Sequence, residues 1–416
     1  MTPFPIPVKV EQTATGPKQG SVAAQVEHAA ARLRPWLPWV HAFMFVAFLA
    51  LLLGPVLLPA SPTATRLAAF SNWLIWGLWF PLVFLSVLVS GRSWCGVLCP
   101  MGAASQWMNR IGLKRPVPAW LRWEGTPILS FVLITILGQT VGVRDYPGAL
   151  LEVFGGTLLA ALLIGFLMID INRKTESRHC VMCMRCVQPG RRGGLGLRLR
   201  APGAEVAEIQ HHHPAVSELW FLLLGTGVAL GGFLWLVLPE YQWLRQHIGV
   251  WAINHGMYWI GNPGPGWLMV NHPGSREVFV WLDFFLIVGW MLAIMLAFTL
   301  VLGTLNAAAA WLAGKLGAGG GFHARFVALG YQFAPVAMVS LLLGLGGELF
   351  ADLPGQWAVT IKLVLLAGAL LWGIDLGRRI LAGQGLRGVH AAIVLLPGTT
   401  GALAVAAAWW PALAGS

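Results

Sequence analysis

Nine stretches of about 20 predominantly apolar residues run through this 416-residue chain, at about 37–59, 69–91, 125–143, 149–169, 216–239, 277–302, 325–349, 357–376 and 389–410. No other feature constrains the fold as tightly. An α-helix crosses a hydrocarbon layer of about 30 Å with about 20 residues. Inside lipid every backbone N–H and C=O has to be satisfied within the protein, which leaves helices or closed barrels, and runs of this length specify helices. Only 10% of the residues are charged and 57% are apolar, with a mean hydropathy of +0.71. A soluble domain carries about 25% charged residues, so a soluble enzyme is excluded, as is a disordered or collagen-like chain. The 51 glycines and 22 tryptophans suit closely packed membrane helices with aromatic residues at the interfaces. The expected fold class is all-α: a polytopic membrane protein of about nine transmembrane helices.

A net charge of +11 would suggest nucleic acid in a soluble protein. In a membrane protein it sets orientation, and no nucleic-acid partner is expected. With the N-terminus inside, the inner segments hold 22 of the 27 Lys and Arg residues, and the outer segments hold four: Arg66, Arg144, Arg245 and Arg276. Lys362 lies within the eighth span. That asymmetry predicts a multi-pass protein of a bacterial inner (plasma) membrane, N-terminus cytoplasmic and C-terminus periplasmic. The expected organisation is a cytoplasmic tail at 1–36, a four-helix membrane redox module at 37–215, and a five-helix membrane region at 216–416. The last carries a large outer segment at 240–276, rich in Trp, His, Gly and Pro.

The five cysteines fall in two tight groups, Cys95 with Cys99 and Cys180 with Cys183 and Cys186. Both lie in inner segments and so face a reducing compartment, where metal or redox chemistry outranks disulfides. The second group has the spacing C-x2-C-x2-C, the first three cysteines of a bacterial ferredoxin run, C-x2-C-x2-C-x3-C-P. Loops of that spacing wrap three thiolates around one iron–sulfur cube, and Arg178 and Arg185 flank them to offset the negative charge. The fourth position of the run is Gly190. In two-cluster ferredoxins the fourth ligand comes from a distant Cys-Pro, and this chain has one at Cys99-Pro100. The alternatives for that ligand are Cys95, His179, the trio His211, His212 and His213, or a bare corner giving a 3Fe-4S cluster. Structural zinc is the competing reading of the cysteine run.

The first group reads Gly91-Arg92-Ser93-Trp94-Cys95-Gly96-Val97-Leu98-Cys99-Pro100-Met101-Gly102. On a helix Cys95 and Cys99 share one face. Two thiols so placed can bind a soft metal such as Cu(I), form a redox disulfide or reach toward a cluster. The segment resembles the membrane motif of the polyferredoxin-like iron–sulfur proteins, the family that includes NapH, NosR, MauN and CcoG. The resemblance covers roughly residues 70–190. The spacing leads to a 4Fe-4S cluster on Cys180, Cys183 and Cys186, with Cys99, followed by Pro100, favoured over Cys95 for the fourth corner. The resemblance implies one-electron transfer between the quinone pool or a cytoplasmic donor and a partner redox protein, as in a quinol-dehydrogenase-type component. A copper-handling protein using Cys95 and Cys99 is one alternative; a non-catalytic assembly factor or transporter with structural zinc is another.

Other polar residues offer weaker candidates. His247, Trp251 and His255 share helical spacing in the outer segment, with His272, Met257 and Met269 nearby, and could form a copper or quinol-headgroup site on an interfacial helix. His41 is the one histidine well inside a span and the natural candidate for a haem ligand. Among the acidic residues near the outer boundary, Glu152 and Asp283 are candidates to accept a proton from a quinol.

Overall fold

The computed structural model describes residues 22–58, 61–90, 93–168, 203–209, 215–273, 276–351 and 353–414. Cys180, Cys183, Cys186, His179, His211, His212 and His213 lie outside these residues.

The described residues are almost wholly helical. Helices α1 (Val22–Leu33) and α2 (Leu37–Leu57) are joined by a 3₁₀ turn at Arg34–Trp36, so the expected tail already turns helical before the first span. The chain continues through α3 (Pro62–Asn72), a π-helical stretch at Trp73–Trp79 and α4 (Phe80–Ser90). Short α5 (Ser93–Val97), α6 (Pro100–Ile111) and α7 (Ala119–Arg122) lead to the hairpin of α8 (Thr126–Thr140) and α9 (Pro147–Leu167). Beyond α10 (Ala204–Ala207) come α11 (Val216–Val237), α12 (Pro239–Asn254), α13 (Trp281–Lys315), α14 (Phe322–Gly330), α15 (Ala334–Leu345), α16 (Glu348–Ala351), α17 (Gly355–Gly383), α18 (Gly388–Ala408) and α19 (Trp410–Ala414). Proline opens many of these helices, where its missing N–H is one the helix could not have used.

Among the described residues, eight helical segments are long and apolar enough to cross a membrane. The third expected span, 125–143, is a helix of only 15 residues, Thr126–Thr140. At 1.5 Å per residue it reaches about 22 Å, short of the hydrocarbon layer. A turn at Gly142 (φ +66°) ends it early and sends the chain back as α9. The opposite correction applies at 277–302: α13 runs on to Lys315, so residues assigned to an inner loop prolong the helix.

Two apolar cores organise the packing. One, built on α2, the π-helical stretch and α9, gathers Phe48, Leu52, Ile75, Trp76, Leu150 and Val153. The other, larger, surrounds α14 and α15, whose combined segment Phe322–Leu345 is the most buried of the eight. Helix α8 joins them by lying against α11 and α13, where Val132 packs with Val228, Ile287 and Met291. Exposed tryptophans sit by helix ends, among them Trp36, Trp39, Trp120 and Trp123 beside α2 and α8. Trp243, Trp251, Trp259 and Trp267 lie in the 240–276 segment, a distribution that suits an interfacial belt.

The segment at 240–276, expected to be outer, carries structure of its own. Helix α12 buries little besides Tyr241 and Ala252 and leaves Trp243, Val250, Trp251 and Ile253 exposed. Strands β1 (Asn271–His272) and β2 (Glu277–Val278) form a small antiparallel pair. The Val270 N–H donates to the Thr140 carbonyl at 2.8 Å, which ties this hairpin to the end of α8.

Candidate metal centre

The first cysteine group forms a compact helix-turn-helix. Helix α5 carries Cys95, which is exposed; the N–H groups of Leu98 and Cys99 both donate to the Trp94 carbonyl, at 3.0 and 2.9 Å, and the helix stops. Cys99 is extended (φ −70°, ψ 117°) and serves as the N-cap of α6, with Pro100 in the first helical position. Its sulfur accepts the Gly102 N–H at 3.5 Å. The thiol therefore stands at the end of a helix where unpaired N–H groups and the helix dipole favour negative charge. Burial raises the Cys99 thiol above its ordinary value; the Gly102 N–H opposes this, the neighbouring Cys95 thiol adds to the rise, and the Met101 N–H opposes it in turn.

The motif glycine at 102 has a steric reason. A Cβ there would lie 2.6 Å from the Cys95 carbonyl oxygen, so α6 can cross α5 this closely only without a side chain. His41 of α2, 6% exposed, hydrogen-bonds through Nε2 to the Gly96 carbonyl at 3.0 Å. That bond occupies the nitrogen a haem iron would need from the haem candidate. Trp94 packs edge-on against Trp79 with ring centroids 5.2 Å apart, fixing α5 against the π-helical stretch.

Helix α6 is fastened to the end of α9. A Cβ on Gly165 would fall 2.5 Å from the Ser105 carbonyl oxygen, which marks a close backbone approach. Asn109 donates Nδ2–H to the carbonyls of Gly165 (3.3 Å) and Met168 (2.7 Å). Leu113 and Arg115 donate their N–H groups to Phe166 and Leu167, at 2.7 and 3.0 Å. The last carbonyls of α9, which a helix cannot satisfy itself, are thus met by α6 and the strand-like segment after it. Residue 168 leads directly into the segment that holds Cys180, Cys183 and Cys186.

The remaining candidates do not converge. His247 and His255 are each turned back on their own helix. Their Nδ1 atoms contact the Trp243 and Trp251 carbonyls at 2.8 and 2.7 Å, and their rings stack on the same tryptophans. Two turns of helix separate them by about 12 Å. His272 stacks on Tyr146. Asp283 is 5% exposed; it pairs with Arg245 at 2.5 Å and accepts the Val280 N–H at 3.0 Å, so it caps α13 and is committed to structure. Glu152 is exposed on α9. Among the described residues no three His, Cys, Asp or Glu side chains gather as a metal site.

Sequence reasoning overlooked His41 as a partner of the cysteine turn and Asn109 as the clasp on α9. The sequence signals only that Pro100 cannot continue a helix from Cys95; nothing in it names the donor that meets the Gly96 carbonyl.

Residues 72–118 match the 4Fe-4S binding domain family, a stretch that includes Cys95 and Cys99. The match supports an iron–sulfur binding protein. No curated protein and no solved structure matches the chain.

Proposed function

We propose that this chain is a membrane electron-transfer protein with a 4Fe-4S cluster at the inner membrane face, ligated by Cys180, Cys183, Cys186 and Cys99. The observation that carries the reading is the presentation of Cys99: a thiol at a helix N-terminus, already accepting a backbone N–H, in the segment that matches a 4Fe-4S binding family. Thiolate is the ligand such a cluster takes, and N–H groups aimed at sulfur stabilise the charged form. Two thiols cannot cover four iron corners, so the turn needs further ligands. The cysteine run begins 12 residues after Met168. An extended chain of that length spans up to about 40 Å, and α6, which separates Met168 from Cys99, is only about 18 Å long. The connection therefore has ample reach.

The cluster would supply one-electron transfer. The protein's residues hold it in place: α5 and α6 fix the geometry of Cys95 and Cys99, and the Asn109 clasp keeps the start of the cysteine-bearing segment beside them. Cys95, exposed one helical turn before Cys99, stands at the rim of this site. The quinone pool or a cytoplasmic reductant is the proposed donor, and a partner redox protein the acceptor, at an inner membrane with the N-terminus cytoplasmic.

The test is anaerobic purification with iron, sulfide, copper and zinc analysis. Iron and sulfide in equal amounts, with a broad visible absorption that dithionite bleaches, support the reading. A colourless protein loaded with zinc or copper overturns it.

A further inference from the structure

The end of α5 leaves a gap that another helix closes. In a continuing helix the Gly96 carbonyl would accept the N–H of residue 100, but α5 stops at Val97, Cys99 is extended, and residue 100 is Pro100, which has no N–H. The nearby N–H groups of Leu98 and Cys99 are already given to Trp94. Gly96 is buried, so no bulk water replaces the missing donor. His41 supplies it from α2, 55 residues away in sequence, at 3.0 Å. A carbonyl oxygen carries no proton, so Nε2 of His41 is the donor.

We propose that His41 is a positioning residue of the cysteine turn: its Nε2–H meets the Gly96 carbonyl that the end of α5 leaves without a backbone donor and so fixes the spacing between Cys95 and Cys99. The part of this that concerns a cluster rests on the function proposed above; the part that concerns the turn does not. An unmet buried carbonyl is worth roughly tenfold or more in an equilibrium constant, and without His41 that strain falls on the peptide between the two thiols.

Two variants test it in the full-length protein: His41→Leu and His41→Gln. Glutamine keeps an N–H donor of similar reach. Two readouts apply. In metal-free protein, the rate at which N-ethylmaleimide modifies Cys99 is followed by mass spectrometry. In iron-loaded protein, the EPR line shape, the midpoint potential and the rate of iron loss to a chelator are measured. His41→Leu is expected to raise both rates roughly tenfold and to shift the EPR signal and the potential, while His41→Gln keeps wild-type behaviour. His41→Leu indistinguishable from wild type in both readouts, or His41→Gln as impaired as His41→Leu, overturns the proposal. If His41→Leu fails to accumulate, wild-type behaviour of His41→Gln supports the proposal and its failure as well contradicts it. If wild-type protein binds no iron, the cluster reading fails, and the alkylation comparison still decides the role of His41.

Discussion

The thiol of Cys99 acts as a helix cap even without metal, and its chemistry follows from that position. Half-buried, with its ionisation held above the ordinary thiol range, it stays protonated at neutral pH. In metal-free protein Cys99 is therefore expected to react with N-ethylmaleimide more slowly than exposed Cys95. Its rate should climb only as pH passes the ordinary thiol value of about 8.5. Peptide-resolved alkylation checks this, and faster modification of Cys99 at neutral pH would contradict it. Gly102 is the second sensitive position. A Cβ 2.6 Å from the Cys95 oxygen forces α5 and α6 apart. Gly102→Ala is expected to cost about 1–3 kcal/mol, as overpacking does, and to lower iron content in parallel, measured by thermal unfolding and metal analysis.

Among the elements, the joint between α6 and α9 holds the last described residues before the second cysteine group. Asn109→Ala removes two hydrogen bonds from the end of α9. Hydrogen exchange at residues 165–168 should quicken by roughly tenfold, the effect of about 1–3 kcal/mol, with α13 unchanged; unaltered exchange at 165–168 would exclude the clasp. At the other end of α9, Asp145 lies between helices. Burial raises its carboxyl above the ordinary value, Arg144 opposes this, and Glu277 and Glu348 add to it. A carboxyl raised on folding contributes stability that is present below the ordinary carboxylate value and lost as pH rises through the raised one. Asp145→Asn should therefore narrow the drop in thermal stability between about pH 4 and about pH 7, as unfolding in detergent at the two pH values will show. The sequence revealed these helices well and their joints poorly. Apolar runs at helical length announce spans, because burial in lipid acts on whole segments. It missed that α8 stops at 15 residues and that α13 extends to 35, because turns such as Gly142 and the sheltering of residues 303–315 are set by neighbours. Cys95 and Cys99 stood out because their spacing is itself a chemical signal, and the stretch that holds them matches a 4Fe-4S binding family. His41 and Asn109 act on backbone carbonyls 55 or more residues away, and composition carries no trace of such a bond.

For the whole molecule, the basic asymmetry of 22 inner to four outer Lys and Arg residues predicts where each end lies. An alkaline phosphatase fusion at position 190 is expected to be inactive and one at the C-terminus active; the reverse would place the cysteines outside and defeat the orientation. The account as a whole rests on one cluster joining two cysteine groups that the chain holds 81 residues apart, from Cys99 to Cys180. Iron content and EPR of Cys99→Ser against Cys95→Ser, each prepared anaerobically beside the wild type, test that claim most directly. Loss of iron or conversion to a 3Fe-4S signal in Cys99→Ser, with the cluster intact in Cys95→Ser, is the predicted result. An unchanged cluster in Cys99→Ser, or equal loss in both variants, would contradict it.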